Sequence, residues 1–220
     1  MKIFIFGSCR IHRPFNNVYN KYNCLETLWY KSNFIGSVYC SNYILMMIKI
    51  LLSRNLLEKD KLCYPYDITD EHFYNLCDTL TQADTIIIEI ATIKYRKLPD
   101  RYLSNEEIHR YSKFEAGTIE EDELSKNIIE IQDIIQKSGK QVLFVSHFHV
   151  NIKMFDRKLI GRKLIIDCLS KHAKYFFNPT SIVQSNISNN IVDYNHYSNS
   201  CEVLIMEELD KHLQIIQSCK

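Results

Sequence analysis

The sequence predicts an α/β protein, a three-layer α/β/α sandwich around a central parallel sheet, and three observations carry that expectation. Three short runs, Lys2 to Phe6 (KIFIF), Asp84 to Ala91 (DTIIIEIA) and Gln141 to Ser146 (QVLFVS), are almost continuously apolar, as strands buried on both faces of a sheet are. Longer helical patterns separate them, the alternation that places helices on both sides of a parallel sheet. No internal repeat, low-complexity linker or composition shift divides the chain, and 220 residues with 46% hydrophobic content suit one core, so residues 1–220 are read as a single domain.

The elements follow in order. KIFIF stops at Gly7 and is followed by Ser8, Cys9 and Arg10. Asn42 to Arg54 is apolar on most faces and reads as a buried helix. Asp70 to Leu80 carries carboxylates in its first turn, where they complement the helix dipole. DTIIIEIA forms the second strand and runs into TIKYRK. Thr118 to Lys137 opens on Thr118-x-x-Glu121, a capping-box spacing, and Gly139 stands where a helix C-cap is expected. QVLFVS is the third strand, followed by His147 and His149. Two further helices are expected at Phe155 to His172 and Ser198 to Gln217, with QSNISNN, Gln184 to Asn190, as the clearest loop.

Composition excludes several functions. A formal charge of +1 with 24% charged residues gives no global pull toward nucleic acid or anionic membrane, and no nucleic-acid motif or basic stripe is present. No Gly-rich phosphate loop of the form G-x-x-x-x-G-K occurs, which disfavours nucleotide hydrolysis. Cys9, Cys24, Cys40, Cys63, Cys77, Cys168, Cys201 and Cys219 are scattered without a C-x-x-C pair, the usage of a reduced intracellular chain, and no metal site is expected. His147 and His149 lack a third ligand nearby in sequence. The longest apolar run, YILMMIKILL, is broken by Lys49 and is too short to cross a bilayer, and no signal-like leader precedes the first strand. A soluble, cytoplasmic protein is expected.

Ligands of such folds bind beyond the carboxyl ends of the strands. The Gly7-Ser8-Cys9-Arg10 stretch occupies that place after the first strand, where a tight turn presents a nucleophile and turns backbone N–H groups toward an oxyanion. Its plainer reading is a turn with a cysteine filling an apolar gap. Arg10 and Arg13 are placed to clamp an anionic substrate group or to lower a thiol pKa, and equally suit a solvated surface. Glu89, inside the second strand, needs a partner, with Arg10 and Lys94 the candidates. His147 faces the crevice as a substrate contact or auxiliary acid.

Near the other end, Asp193 and His196 stand as D-x-x-H just before the final helix. Together with F-G-S-C, this arrangement resembles the SGNH or GDSL-like hydrolase superfamily, whose first block ends in G-D-S and whose last reads D-x-x-H. The resemblance implies a flavodoxin-like sandwich that cleaves an ester: Cys9 at the nucleophile position, Ser8 at the place of the motif's aspartate and the rival nucleophile, His196 as general base, and Asp193 orienting it. Gly7 and Gly36 are implied as backbone donors, and Thr92 and Lys94 stand where the family has its oxyanion-hole asparagine. Offshoots with G-S-C or G-N-C in this place include proteins of polysaccharide biosynthesis. The expected function is an acyl-ester hydrolase acting on an acylated, carbohydrate-like small molecule or glycan without a cofactor. The alternatives are an O-acetyltransferase using coenzyme A with the same residues, and a non-catalytic binding protein that keeps the fold.

Overall fold

A computed structural model describes residues 1–16, 23–27, 40–62, 68–103, 110–150, 156–193 and 195–219. Five strands form one parallel sheet: β1 (Lys2–Phe6), β2 (Asn23–Thr27), β3 (Thr85–Ile90), β6 (Gln141–Ser146) and β7 (Phe176–Phe177), in the order β2-β1-β3-β6-β7. The fold is the expected three-layer sandwich, and its strand order is the flavodoxin-like 2-1-3-4-5.

The sheet divides the core in two by side-chain parity. Phe4 and Phe6, Ile86, Ile88 and Ile90, and Val142 and Phe144 face a layer of helices α2 (Ser41–Ser53), α3 (Asp70–Gln82), α4 (Glu121–Lys137) and α5 (Asp156–His172). Ile3 and Ile5, Ile87, and Leu143 and Val145 face the other layer, built from α1 (Cys9–Asn16), α6 (Thr180–Ser185) and α8 (Asn199–Ser218). The near-continuous apolar runs of β1, β3 and β6 are therefore required on both faces.

Two small ribbons lie outside this sheet. β4 (Lys94–Lys97) pairs antiparallel with β5 (Glu115–Thr118), and β8 (Ile191–Asp193) with β9 (His196–Tyr197). The capping box expected at Thr118 does not form. Thr118 pairs with Lys94 in the ladder and the Ile119 N–H bonds the Ile93 carbonyl, so cross-strand bonds win and the helix starts three residues later, after Glu120. The expected loop at Gln184 to Asn190 is instead helical in part, as the end of α6 and α7 (Ile187–Asn190). There Asn190, buried, donates through Nδ2 to the Ile182 carbonyl at 2.7 Å, which ties the polar stretch back onto α6. No described helix is long and apolar enough to cross a membrane.

Candidate functional site

The 2-1-3-4-5 order places a topological switch point between β1 and β3, where ligand crevices open in such sheets. The chain leaves β1 into α1 on one face, and β3 lies directly beside it. Gly7 is the first residue past β1, and a Cβ there would come within 3.3 Å of Ile11 Cγ1 and 3.5 Å of Glu89 Cβ. The approach to Ile11 is tighter than most side chains tolerate while that to β3 is ordinary contact, so the glycine is what lets the first turn of α1 fold back this closely over the end of β1.

Ser8 caps α1. Its carbonyl accepts from the N–H groups of Ile11 and His12 at 3.0 and 3.1 Å, and its Oγ accepts from the Arg10 N–H at 3.3 Å. The hydroxyl is thereby engaged and the residue is buried. Cys9 follows as the first helical residue; its side chain lies outside the described part, as do the side chain of Cys24 and the whole of Cys63 and of the expected backbone donor Gly36.

Glu89 settles between the two candidates for its partner. Its Oε1 accepts from Arg10 Nε at 2.6 Å and its Oε2 from the Ser8 N–H at 2.7 Å, with the residue fully buried. Lys94 is exposed at the start of β4, where its N–H donates to Thr92 Oγ1 at 3.0 Å. Arg13, half-exposed on α1, is 3.7 Å from Glu202 of α8. His12, on the same helix, is buried and bonds the Gly7 carbonyl through Nε2 at 3.0 Å. Burial lowers its pKa from 6.5 to about 4 against the opposing pull of Glu89 and that carbonyl, so the imidazole is neutral near pH 7.

The D-x-x-H spacing resolves into hairpin geometry. Asp193 and His196 are register partners across β8 and β9, so their side chains meet: His196 Nδ1 lies 2.7 Å from Asp193 Oδ2 and 2.9 Å from Oδ1. The Asn195 N–H donates to Asp193 Oδ1 at 2.6 Å, closing an Asx turn. Desolvation alone would raise the Asp193 pKa, but the Asn195 N–H and the His196 ring together outweigh it and hold the carboxyl below its usual value. With Nδ1 given to the aspartate, Nε2 is the ring atom that faces away from it. Ser198 then caps α8 by accepting from the Cys201 N–H at 3.2 Å.

The first turn and this hairpin come together in the fold. α1 packs against β9 and α8, and Arg10 Nη1 donates to the Asn195 carbonyl at 3.3 Å across 185 residues of sequence. His147, beyond β6, is buried with both ring nitrogens engaged: Nδ1 donates to the Phe148 carbonyl at 3.2 Å, and Nε2 accepts from Arg162 Nη2 at 2.7 Å. A ring that accepts from a permanently charged guanidinium at Nε2 carries its proton on Nδ1, where it is turned to the Phe148 carbonyl. Arg162, from α5, also donates to the Phe148 carbonyl at 3.0 Å and to Asn195 Oδ1 at 3.3 Å.

Sequence reasoning missed His12, Arg162 and Asn195. Asn195 was visible inside D-Y-N-H, because an aspartate in a loop accepts from the backbone N–H two residues on in an Asx turn. Arg162 carried no signal, since one basic residue on a charged helix looks like any solvated one. Among the described residues no cluster of three or more His, Cys, Asp or Glu is arranged to hold a metal ion.

No curated protein matches the chain. A family model does, over residues 1–123, a span of more than half the sequence that holds the Gly7–Arg10 turn and Glu89 and stops short of the Asp193–His196 hairpin. On that match the chain belongs to the TviD N-terminal domain family.

Proposed function

We propose that the protein is an acyl enzyme of carbohydrate substrates in which Cys9 carries the acyl group and the His196–Asp193 pair moves the proton. The family match fits polysaccharide-related acyl modification in these coarse terms. The observation that carries the reading is the His196–Asp193 hairpin pair, set on the strand that packs against the helix opened by Cys9.

In the first half-reaction the Cys9 thiolate attacks the carbonyl carbon of an ester. The tetrahedral intermediate collapses to a thioester, and the leaving alkoxide takes a proton from His196 Nε2. In the second, His196 removes a proton from the acceptor oxygen, which attacks the thioester and releases the thiolate. Water as acceptor makes the enzyme an esterase. A sugar hydroxyl, with coenzyme A supplying the acyl group as a thioester, makes it an O-acyltransferase, the reading that the family match favours. Ser8 is the weaker nucleophile, because its hydroxyl already accepts the Arg10 N–H as the cap of α1. Cys9 at the first helical position receives the partial positive charge of the helix N-terminus, which favours a thiolate.

The test compares Cys9 with the other cysteines. Burial pushes the Cys40 thiol up to about 12 and the Cys77 and Cys201 thiols up to about 11, so these stay unreactive at neutral pH. With iodoacetamide at mildly acidic pH, peptide mapping should find Cys9 labelled ahead of the exposed Cys219. His196→Ala should slow that labelling and cut turnover of an acetyl ester, with or without coenzyme A, by about 100-fold or more. Cys9 labelling no faster than Cys219, together with no turnover in either format, would leave the non-catalytic binding protein as the correct reading.

A further inference from the structure

A carboxylate in the middle of a parallel sheet needs a reason. Glu89 occupies a fully buried position of β3, and burying an ion pair there gains little over well-packed apolar side chains of similar volume. Stability does not explain it. Both oxygens of Glu89 are spent on groups that set position: the backbone N–H just before Cys9, and Nε of Arg10.

From there the contacts continue without a break. Arg10 Nη1 holds the Asn195 carbonyl, the Asn195 N–H holds Asp193 Oδ1, and Asp193 holds His196 Nδ1. Arg10 makes its two contacts from separate nitrogens of one rigid planar group, so the angle between Glu89 and the hairpin is fixed. Asn195 is gripped a second time, at Oδ1, by Arg162, which is itself held by the Phe148 carbonyl and His147 Nε2.

We propose that Glu89, Arg10 and Asn195 are positioning residues that form a strut between the Cys9 turn and the Asp193–His196 hairpin, setting the approach of the imidazole to the thiol. The strut rests on the acyl-enzyme reading of the same site. It reassigns Arg10 from a substrate clamp to an internal brace. Misplacement of a catalytic group by about 1 Å costs on the order of 100-fold in rate, so such a brace acts on turnover more than on binding.

Arg10→Lys in the full chain tests it, because lysine keeps a cation for Glu89 and near Cys9 but cannot span Glu89 and Asn195 together. The expected result is an unchanged far-UV spectrum, a Cys9 alkylation midpoint moved up toward the free-thiol value of about 8.5, and kcat on an acetyl ester lowered at least about tenfold with KM within about twofold. Asn195→Ala, which removes only the Oδ1 grip and changes no charge, should move both readouts in the same direction by less. It also keeps the test alive if Arg10→Lys does not fold. A wild-type labelling midpoint and kcat in the folded variants would overturn the strut while leaving the acyl-enzyme reading standing. A Cys9 that labels as an ordinary thiol in the wild type would sink that reading first, and the strut with it.

Discussion

His12 lies outside the reacting atoms and still shapes this turn. Its Nε2–H donates to the Gly7 carbonyl, fixing the peptide that leads into Ser8, and the tautomer that does so is neutral. Because burial lowers its pKa to about 4, the unfolded chain binds a proton here below pH 6.5 while the folded chain does not until about pH 4. The contribution of this group is therefore complete above pH 6.5 and is lost as pH falls from there toward 4, by roughly 3 kcal/mol at most. Urea unfolding at about pH 7 and about pH 5 should show a stability loss that shrinks in His12→Gln, since glutamine offers the same donor without titrating. An equal pH dependence in the two proteins would mean that His12 protonates without opposition. At this scale the sequence was legible where chemistry demands a partner. Glu89 in an apolar strand had to be paired, and Arg10 was one of two candidates. It was silent on Arg162, whose burial depends on β6 and the hairpin arriving from elsewhere in the chain.

Elements fixed by local rules were readable to within a residue or two; those fixed by their neighbours were not. KIFIF and QVLFVS form strands over the expected residues because an apolar run with no helical period has few other outcomes. The edge strand β7 and the hairpin strands β8 and β9 have only two or three residues each, and the ribbon β4–β5 is mostly polar and exposed or half-exposed, so length and composition do not separate them from loop. Thr118 shows the conflict directly, since a sound capping box yielded to ladder bonds with β4. The far end of the same helix kept its expected signal. Gly139 has φ +76°, its N–H bonds the Gln136 carbonyl at 2.9 Å, and the Lys140 N–H bonds the Ile135 carbonyl at 3.2 Å, the paired bonds of a Schellman motif. Lys140 then reaches back with Nζ to the Ala83 carbonyl at 2.8 Å, tying this cap to the end of α3. A Cβ at Gly139 meets nothing within 4 Å, so Gly139→Ala carries the left-handed backbone cost alone. That cost is about 1 kcal/mol, read as a lower urea midpoint at unchanged slope, and Gly139→Asn should recover part of it.

At the scale of the molecule, parallel pairing and helices on both faces were legible from alternation, while the flavodoxin-like strand order entered only through the family resemblance, because neighbour choice lies in contacts distant in sequence. That order bears on where the folding unit ends. The family match stops at residue 123, yet β3 is flanked on one side by β1 and on the other by β6, which begins at Gln141. Cutting the chain at 123 would turn β3 from an interior strand into an edge and bare the β3 backbone that pairs with β6 along its whole length. It would also strip Ile3, Ile5 and Ile87 of the cover given by Leu143, Val145, Ile205 and Leu209, and leave the Glu89–Arg10 pair without the hairpin that Arg10 grips. A fragment of residues 1–123 should accordingly show no cooperative thermal or urea transition, whereas the full chain unfolds in one step. Mixing that fragment with 124–220 should restore the transition, since the missing strand and helix supply the lost faces. If residues 1–123 alone melt cooperatively with fixed near-UV signals, the two parts are separate domains. The Asp193–His196 hairpin would then belong to a unit that docks on the family domain after it has folded.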